Sequence, residues 1–534
     1  MEESPHNRHP NPDDPDAFDD DELHASRRDP GSMSDPPPSP GLSESDLLES
    51  DDSDIPEPTL EHLKVAMDFV LALHDASLDD GHLTEDVRHR LLEPLTHALD
   101  IGDPDIRLSL DLFLAVSNAS RQTYTDSRTA ILRRYPDSGV LSYDQIKQRI
   151  SEWSGVSATK DDMCIHSCMA FTGPWSDLEA CPLCSKARYD PQVLSASGGK
   201  VKKPRQQQVS FLLGPQLQAM YRSPEGAKAM KYRATQTAEI FKTLDENDDV
   251  LPVYDDIYSG SDLIDLADPG QGGKMKEDDI LVLFSVDGCQ LYRSKTSDCW
   301  IAIFVILNLA PGLRYKKKYV LPAVIIPGPK KPKNLDSCLF RTFQHLAALM
   351  RSGLKIWDAS EGRVFIAMIW LILLTADGPG MTQLNGQVGH QGAHGCRTYC
   401  GLKGRRKPRG NQYCPALFKP HEYDVEGCNH PDEKPENLAP NTDAAERYLL
   451  NLKELLTATS KTQYADLRMK TGIVKPSLVM GLPKNRTLPL PLQFPIDLMH
   501  LLCLNVTELL LSLWHGTMTC DPRQQGQLGL GSTT

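Results

Sequence analysis

Four cysteines in the stretch CIHSCMAFTGPWSDLEACPLC are spaced Cys164-x3-Cys168-x12-Cys181-x2-Cys184. Two close pairs joined by a short loop can deliver four thiolates to one tetrahedral zinc, and Pro182 inside the second pair suits a tight knuckle. The plain alternative is four unrelated buried thiols, and His166 is a substitute ligand. A second kind of chemistry is suggested by LVLFSVDGCQLY, where an apolar run that reads as a buried strand carries Asp287 near its end. An unpaired buried carboxylate is costly, so an acid there is paired, hydrogen-bonded or bound to a metal. VFIAMIWLILLTADGPGM ends in the same way at Asp377, 90 residues later. Taken singly, each acid is a strand-end turn residue ahead of a glycine.

The elements that would position the two acids give the pair more meaning. LVLFSVDG, DCWIAIFVILNL and KKYVLPAVIIPGP read as three strands. DSCLFRTFQHLAALMRSGLKIWDA reads as a helix, and the run ending at Asp377 as a fourth strand. Three strands, a helix and a fourth strand is the opening order of the ribonuclease-H-like fold, in which the first strand and the end of the fourth each carry an Asp. Two Mg²⁺ ions about 4 Å apart can then activate a water or 3′-hydroxyl and stabilise the leaving oxygen of a phosphodiester. Magnesium favours carboxylate oxygens. The chemistry also needs one or two further acids.

Charge bears on the partner. The formal net charge of the 534 residues is −15. Residues 1–60 hold 18 acids against Arg8, Arg27 and Arg28, so this segment accounts for all of it and the rest is balanced, 54 acids to 54 bases. The acidic segment is rich in Pro, Ser and Asp and too poor in apolar residues to offset its ordering entropy. No apolar h-region follows Met1, so no signal peptide is expected. The longest apolar runs, residues 300–310 and 364–376, fall short of the ~20 residues that span a bilayer, so a soluble chain is expected. Thirteen cysteines without a secretory signal favour reduced thiols and metal sites over disulfides.

The insertion GHQGAHGCRTYCGLKGRRKPRG is too Gly-rich for a stable helix. It gathers His390, His394, Cys396 and Cys400, then six bases from Arg397 to Arg409 with no acid. A second zinc site (Cys396, Cys400, His390 or its neighbour, with Cys414 a further candidate) beside a phosphate-binding loop (Arg405, Arg406, Lys407, Arg409) fits both features. Cys428 and His430 compete as ligands, and a plain basic loop with unligated thiols is the alternative. Seven more bases from Arg314 to Lys333 face no acid. Without interleaved aromatics they suit backbone contact more than base reading.

SVDGCQLYRSKTSDCWIAIFVI, RYKKKYVLPAVIIPGPKKPKN, LTADGPGM, VGHQGAHGCRTYCGLKGRRK and FPIDLMHLLCLNVTELLLSLWHG together resemble CACTA-type (En/Spm) DNA transposases of the fungal branch. The likeness covers roughly residues 155–520 and includes the CxxxC…CPLC segment. It implies metal-dependent strand cleavage and transfer at terminal inverted repeats, with Asp287 and Asp377 as the first two members of a DDE/D triad. It also implies that Asp497 and His500 are the family's D-x-x-H signature. Glu508 is about 20° away from Asp497 around a helix but ~16 Å further along, so one continuous helix cannot bring both to one metal pair. The family continues beyond this point, so the chain is expected to be truncated and to lack its third acid, which leaves catalysis uncertain. The alternative is a decayed or host-adopted DNA-binding or interaction protein that keeps the fold without catalysis.

The expected architecture is α/β. A disordered acidic tail (1–56) precedes a helical region (57–156), a four-cysteine zinc knuckle (157–195) and a linker with helices (196–275). A ribonuclease-H-like core (276–516) with an insertion at about 380–490 follows, then an aberrant tail (517–534). Expected cofactors are Mg²⁺ or Mn²⁺ at Asp287 and Asp377, and Zn²⁺ at the cysteines. The expected partner is the DNA of the terminal repeats, with self-association a further expectation, no membrane, and the nucleus as location.

Overall fold

The computed structural model describes residues 55–99, 101–290, 298–406, 412–419, 432–438 and 443–517. All but the last two residues of the acidic tail, Lys407, Arg409, Cys428, His430 and the stretch after 517 lie outside the described residues.

Five helices come first: α1 (Glu61–His74), α2 (Glu85–Leu92), α3 (Pro104–Ala115), α4 (Arg121–Arg134) and α5 (Tyr143–Ser154). Their ends follow local chemistry. Ser142 and Gln145 form a reciprocal capping box at the start of α5, and Gly155 ends it with φ 74°. After strand β1 (Ala158–Met163) and α6 (Pro191–Ala196), strand β2 (Gln206–Phe211) pairs antiparallel with β1, Ala158 opposite Phe211. Residues 206–211 were expected as linker. Their inward positions are polar, Gln208 donating to Cys338 O at 2.9 Å and Ser210 to Asp161 Oδ2 at 3.2 Å, so no apolar alternation betrays the strand.

Helices α7 (Leu213–Tyr221), α8 (Pro224–Ala229), α9 (Tyr232–Glu246) and α10 (Ser261–Ala267) then lead into the central sheet. Its strands are β3 (Ile280–Gln290), β4 (Asp298–Ile306) and, after the short α11 (Pro311–Arg314), β5 (Leu321–Pro327). Helix α12 (Leu335–Ser352) and the hairpin of β6 (Leu354–Asp358) with β7 (Arg363–Ala367) precede β8 (Ile369–Ala376). The six-stranded sheet has the order β1-β2-β5-β4-β3-β8. Neighbours are antiparallel from β1 through β3, whereas β8 runs parallel to β3. The single long apolar run 364–376 is thus two strands, broken at Met368.

The sheet is covered on both faces. Helix α12 has 14 buried residues and packs with Phe69 and Leu73 of α1 over Val282, Phe284 and Phe304. On the opposite face Ile240 of α9 and Leu263 of α10 meet Leu281, Trp370 and Ile372. Arg314 ties this layer down with a bidentate pair to Asp256, at 2.8 and 2.9 Å. Such a buried fork fixes orientation as well as charge.

Beyond β8 come α13 (Gly378–Asn385), the two-residue strands β9 (Arg405–Arg406) and β10 (Tyr413–Cys414), α14 (Ala444–Leu456) and α15 (Lys461–Thr471). A π-helical stretch, Met499–Val506, continues into α16 (Thr507–Trp514). Leu501, Leu504, Leu509 and Trp514 on this final segment are exposed, the last at 73%.

Candidate functional site

Strand register decides where the two acids go. Val286 of β3 is paired with Ala376 of β8, the last pair of that ladder, so Asp287 and Asp377 follow at the same end of it, Asp287 still within β3 opposite Ile301 of β4. Neighbouring strands lie about 4.8 Å apart. Asp287 is exposed, and its Oδ1 accepts from the Gly288 N–H at 2.7 Å. Asp377 is half-buried and caps α13, its Oδ1 accepting from the Gly380 N–H at 2.7 Å. Pro379 and Gly386, the latter with φ 66°, mark the two ends of that helix. Apolar residues on β3 and β8 bury the strands, and the chain reaches water only where the carboxylates begin.

The acids have neighbours that sequence reasoning missed or left unassigned. The Trp300 ring of β4 packs beneath them: a Cβ on Gly288 would stand 3.0 Å from it, and one on Gly380 3.6 Å away. Glycine at 288 is what lets backbone and ring approach, whereas at 380 it leaves room for Asp377 Oδ1, which a Cβ would meet at 2.8 Å. Lys331, read from sequence only as part of a basic cluster, lies with Nζ 5.3 Å from the Trp300 ring centroid and donates to Pro379 O at 3.1 Å. Burial pushes its pKa down and the Asp377 charge holds it up. The Arg397 guanidinium comes within 3.6 Å of where a Cβ on Gly378 would stand.

The four spaced cysteines converge. The sulfur atoms of Cys164, Cys168, Cys181 and Cys184 all lie within 4.8 Å of one another, and those of Cys164 and Cys184 are 3.4 Å apart. A tetrahedral zinc with Zn–S of about 2.3 Å puts sulfurs about 3.8 Å apart, so the set fits one ion. Ser167, at φ 59°, turns the first knuckle, and Ser185, at φ 56°, the second. Burial among Met169, Phe171 and Trp175 pushes the Cys181 thiol up to about 12 and Cys168 higher still. Burial also acts to raise Cys184, but the Lys186 N–H and the neighbouring thiols hold it below the ordinary value. A cation among the four sulfurs would replace those protons.

Among the described residues this is the one group of three or more His, Cys, Asp or Glu whose ligand atoms draw that close. The second cysteine-rich segment therefore brings together less than its spacing suggests. Cys396 and Cys400 adjoin, the hydrogen bond from Cys400 holding the Cys396 thiol down at about 5, but His390 does not complete a cluster with them. Arg405, expected among the phosphate contacts, is buried instead. Its guanidinium donates to Ala416 O at 3.1 Å, Leu417 O at 2.9 Å and Asp432 Oδ1 at 2.8 Å, because the β9–β10 pairing folds residues 412–419 over it. Arg406, the next residue, faces outward.

Asp497 and His500 do meet: the ring Nδ1 lies 2.5 Å from Asp497 Oδ2, and the His500 N–H donates to Oδ1 at 3.1 Å. Burial acts to raise the Asp497 carboxyl, but the His500 hydrogen bonds hold it below its ordinary range. The preceding segment runs beside β8, with Leu374 N donating to Gln493 O at 2.8 Å. Asp497 does not join Asp287 and Asp377 in a three-carboxylate cluster.

Residues 274–411 match the family described as Transposase family tnp2. That supports a transposase or a protein derived from one. The matched stretch spans β3 to β9 and so contains Asp287, Trp300, Lys331, Asp377 and the Cys396–Cys400 pair. No curated protein matches the chain. The match suggests DNA as partner, and no described helix is long and apolar enough to cross a membrane.

Proposed function

We propose that the chain is a DDE/D-type transposase of the CACTA (En/Spm) kind, or a derivative of one, acting in the nucleus on terminal inverted repeats through a ribonuclease-H-like core. The observation that carries this reading is the β3–β8 register, which sets Asp287 and Asp377 side by side within the tnp2 match. The order β5-β4-β3-β8, with α12 between β5 and β8, supports the core assignment.

The residues suit a divalent metal. Each carboxylate has one oxygen engaged by a backbone N–H, and hard carboxylate oxygens are the donors Mg²⁺ or Mn²⁺ favours. When bound, such ions lower the barrier to attack by water or a 3′-hydroxyl and steady the leaving oxygen. Asp287 and Asp377 hold the charge in place, Gly288 keeps the backbone close, and the buried strands behind fix the geometry. Zn²⁺ at the four cysteines is the structural partner of this site.

A non-catalytic DNA-binding derivative is the second reading. Only two acids adjoin at the strand ends, and no third carboxylate converges on them among the described residues.

The test is Mn²⁺ binding followed by electron paramagnetic resonance on the full chain and on Asp287→Asn/Asp377→Asn. The expected result is at least one Mn²⁺ bound by the parent and lost from the double variant. Equal binding by both would sink the acid site. Mn²⁺-dependent nicking of repeat DNA separates the catalytic reading from its derivative.

A further inference from the structure

The loop between β5 and α12 touches both sites. On one side the cysteine knuckle holds it: Ser167 Oγ donates to Pro327 O at 3.1 Å, and the Lys333 and Asn334 N–H groups donate to Cys168 O at 3.0 and 2.9 Å. Gln206 Nε2 adds bonds to Pro327 O and Gly328 O at 3.1 and 2.9 Å, and Gln383 of α13 donates to Pro332 O at 3.2 Å. At its centre Lys331 reaches the start of α13, close enough for the Asp377 charge to act on it. Its ammonium is bound to the Pro379 carbonyl and sits over Trp300, and it forms no ion pair with a carboxylate among the described residues.

That environment is unusual for a half-buried lysine. A lysine that served only to neutralise Asp377 would close to an ion pair. One that served only to staple α13 would gain nothing from sitting where the Asp377 charge acts on it. A carbonyl and a ring face leave at least one of the three ammonium protons free to point elsewhere. Phosphate is the ligand that such a poised cation and a metal held by the adjacent carboxylates would share.

We propose that Lys331 is a phosphate-contacting residue of the Asp287–Asp377 site, gripping the backbone of the DNA strand brought to those acids, with the cysteine knuckle as the mount that holds its loop. This rests on the transposase reading above.

Duplex DNA of mixed sequence, labelled with a fluorophore, is titrated with the full chain in Ca²⁺ between 50 and 200 mM salt. The parent is compared with Lys331→Gln and Lys331→Arg, and each protein's fold is checked by circular dichroism and its Mn²⁺ stoichiometry. Loss of one phosphate contact lowers the slope of log affinity against log salt by about 0.9. Lys331→Gln is therefore expected to flatten the slope by about one and weaken binding roughly fivefold at 100 mM salt, with Lys331→Arg restoring the slope. An unchanged slope in a folded Lys331→Gln that still binds Mn²⁺ would overturn the lysine assignment alone. A parent with no salt-dependent DNA affinity, or with Mn²⁺ binding indifferent to Asp287 and Asp377, would overturn the reading beneath it.

Discussion

Removing zinc from the cysteine knuckle should undock residues 164–184 while the central sheet stays folded. Ordering these 21 residues costs at least about 1 kcal/mol each, some 21 kcal/mol. Against this, burying Met169 and Phe171 contributes about 3–6 kcal/mol. Five hydrogen bonds tie the knuckle to the β5–α12 segment: Ser167 Oγ to Pro327 O, Lys333 and Asn334 N–H to Cys168 O, Ala170 N–H to Ser337 Oγ at 3.1 Å, and Thr172 Oγ1 to Ser337 O. At about 1 kcal/mol each they add about 5. The shortfall, about 10–13 kcal/mol, falls inside the ~10–16 kcal/mol of a structural zinc site. Purified full-length chain should therefore carry close to one zinc at these cysteines. Chelation should make the four thiols react with a thiol reagent and raise amide exchange over 160–185 and at the start of α12, while β3, β4 and β8 stay protected. A zinc-free protein whose four thiols remain shielded and whose knuckle amides remain protected would refute the reasoning.

Three further outcomes follow from the same structure. His345 is buried on α12, with Nε2 accepting from the Gly214 N–H at 3.1 Å and the His82 ring 5.9 Å away, and burial followed by the His82 charge pushes its pKa down to about 3. Unfolded, it protonates near 6.5; folded, it stays neutral to about 3, so stability falls as pH drops through that window, by about 2 kcal/mol at pH 5. Urea melts at pH 5 and 7 should show this, and His345→Gln should narrow the gap between them. Arg405→Ala should cost about 2–4 kcal/mol of local stability by stranding three acceptors, while the salt slope of DNA binding stays put; a flattened slope would restore Arg405 to the phosphate contacts. Phe343→Ala, at the centre of α12 against Phe284 with ring centroids 5.0 Å apart, should cost about 3–5 kcal/mol in thermal or denaturant unfolding, and a loss under 1 kcal/mol would mean the helix packs elsewhere.

Much of the framework was legible because its signals are local. The apolar runs at β3, β4, β5 and β8 and the 3.6-residue period of α1, α5 and α12 come from burial on defined faces, and burial writes itself into composition. The cysteine set was legible because close pairs on tight knuckles suffice to bring four sulfurs together. Strand β2 was hidden by inward glutamine and serine, whose hydrogen bonds to Cys338 O and Asp161 stand in for apolar packing. Strand β6 hid for want of a visible break: LKIWD after α12 reads as helix continuation, yet Gly353, at φ 74°, turns the chain into the strand. Arg405 misled for a different reason. A run of bases shows charge but not which guanidinium is folded under, and that depends on β10, further along the chain.

Asp377 shows why a strand-end acid need not choose between a structural and a chemical role. As the N-cap of α13 it gives Oδ1 to the Gly380 N–H, a bond whose removal by alanine typically costs about 1 kcal/mol. Asparagine supplies the same capping oxygen without the charge. Asp377→Asn should therefore leave stability nearly intact while removing a metal-binding charge, and Asp377→Ala should lose both. The cap engages one carboxylate oxygen at the edge of the strand and holds the group in a fixed orientation, so the second oxygen keeps a set direction beside Asp287 on the neighbouring strand. If thermal unfolding dropped equally for both variants, the carboxylate charge itself would be part of the fold, and metal binding would have to be argued from Asp287 alone.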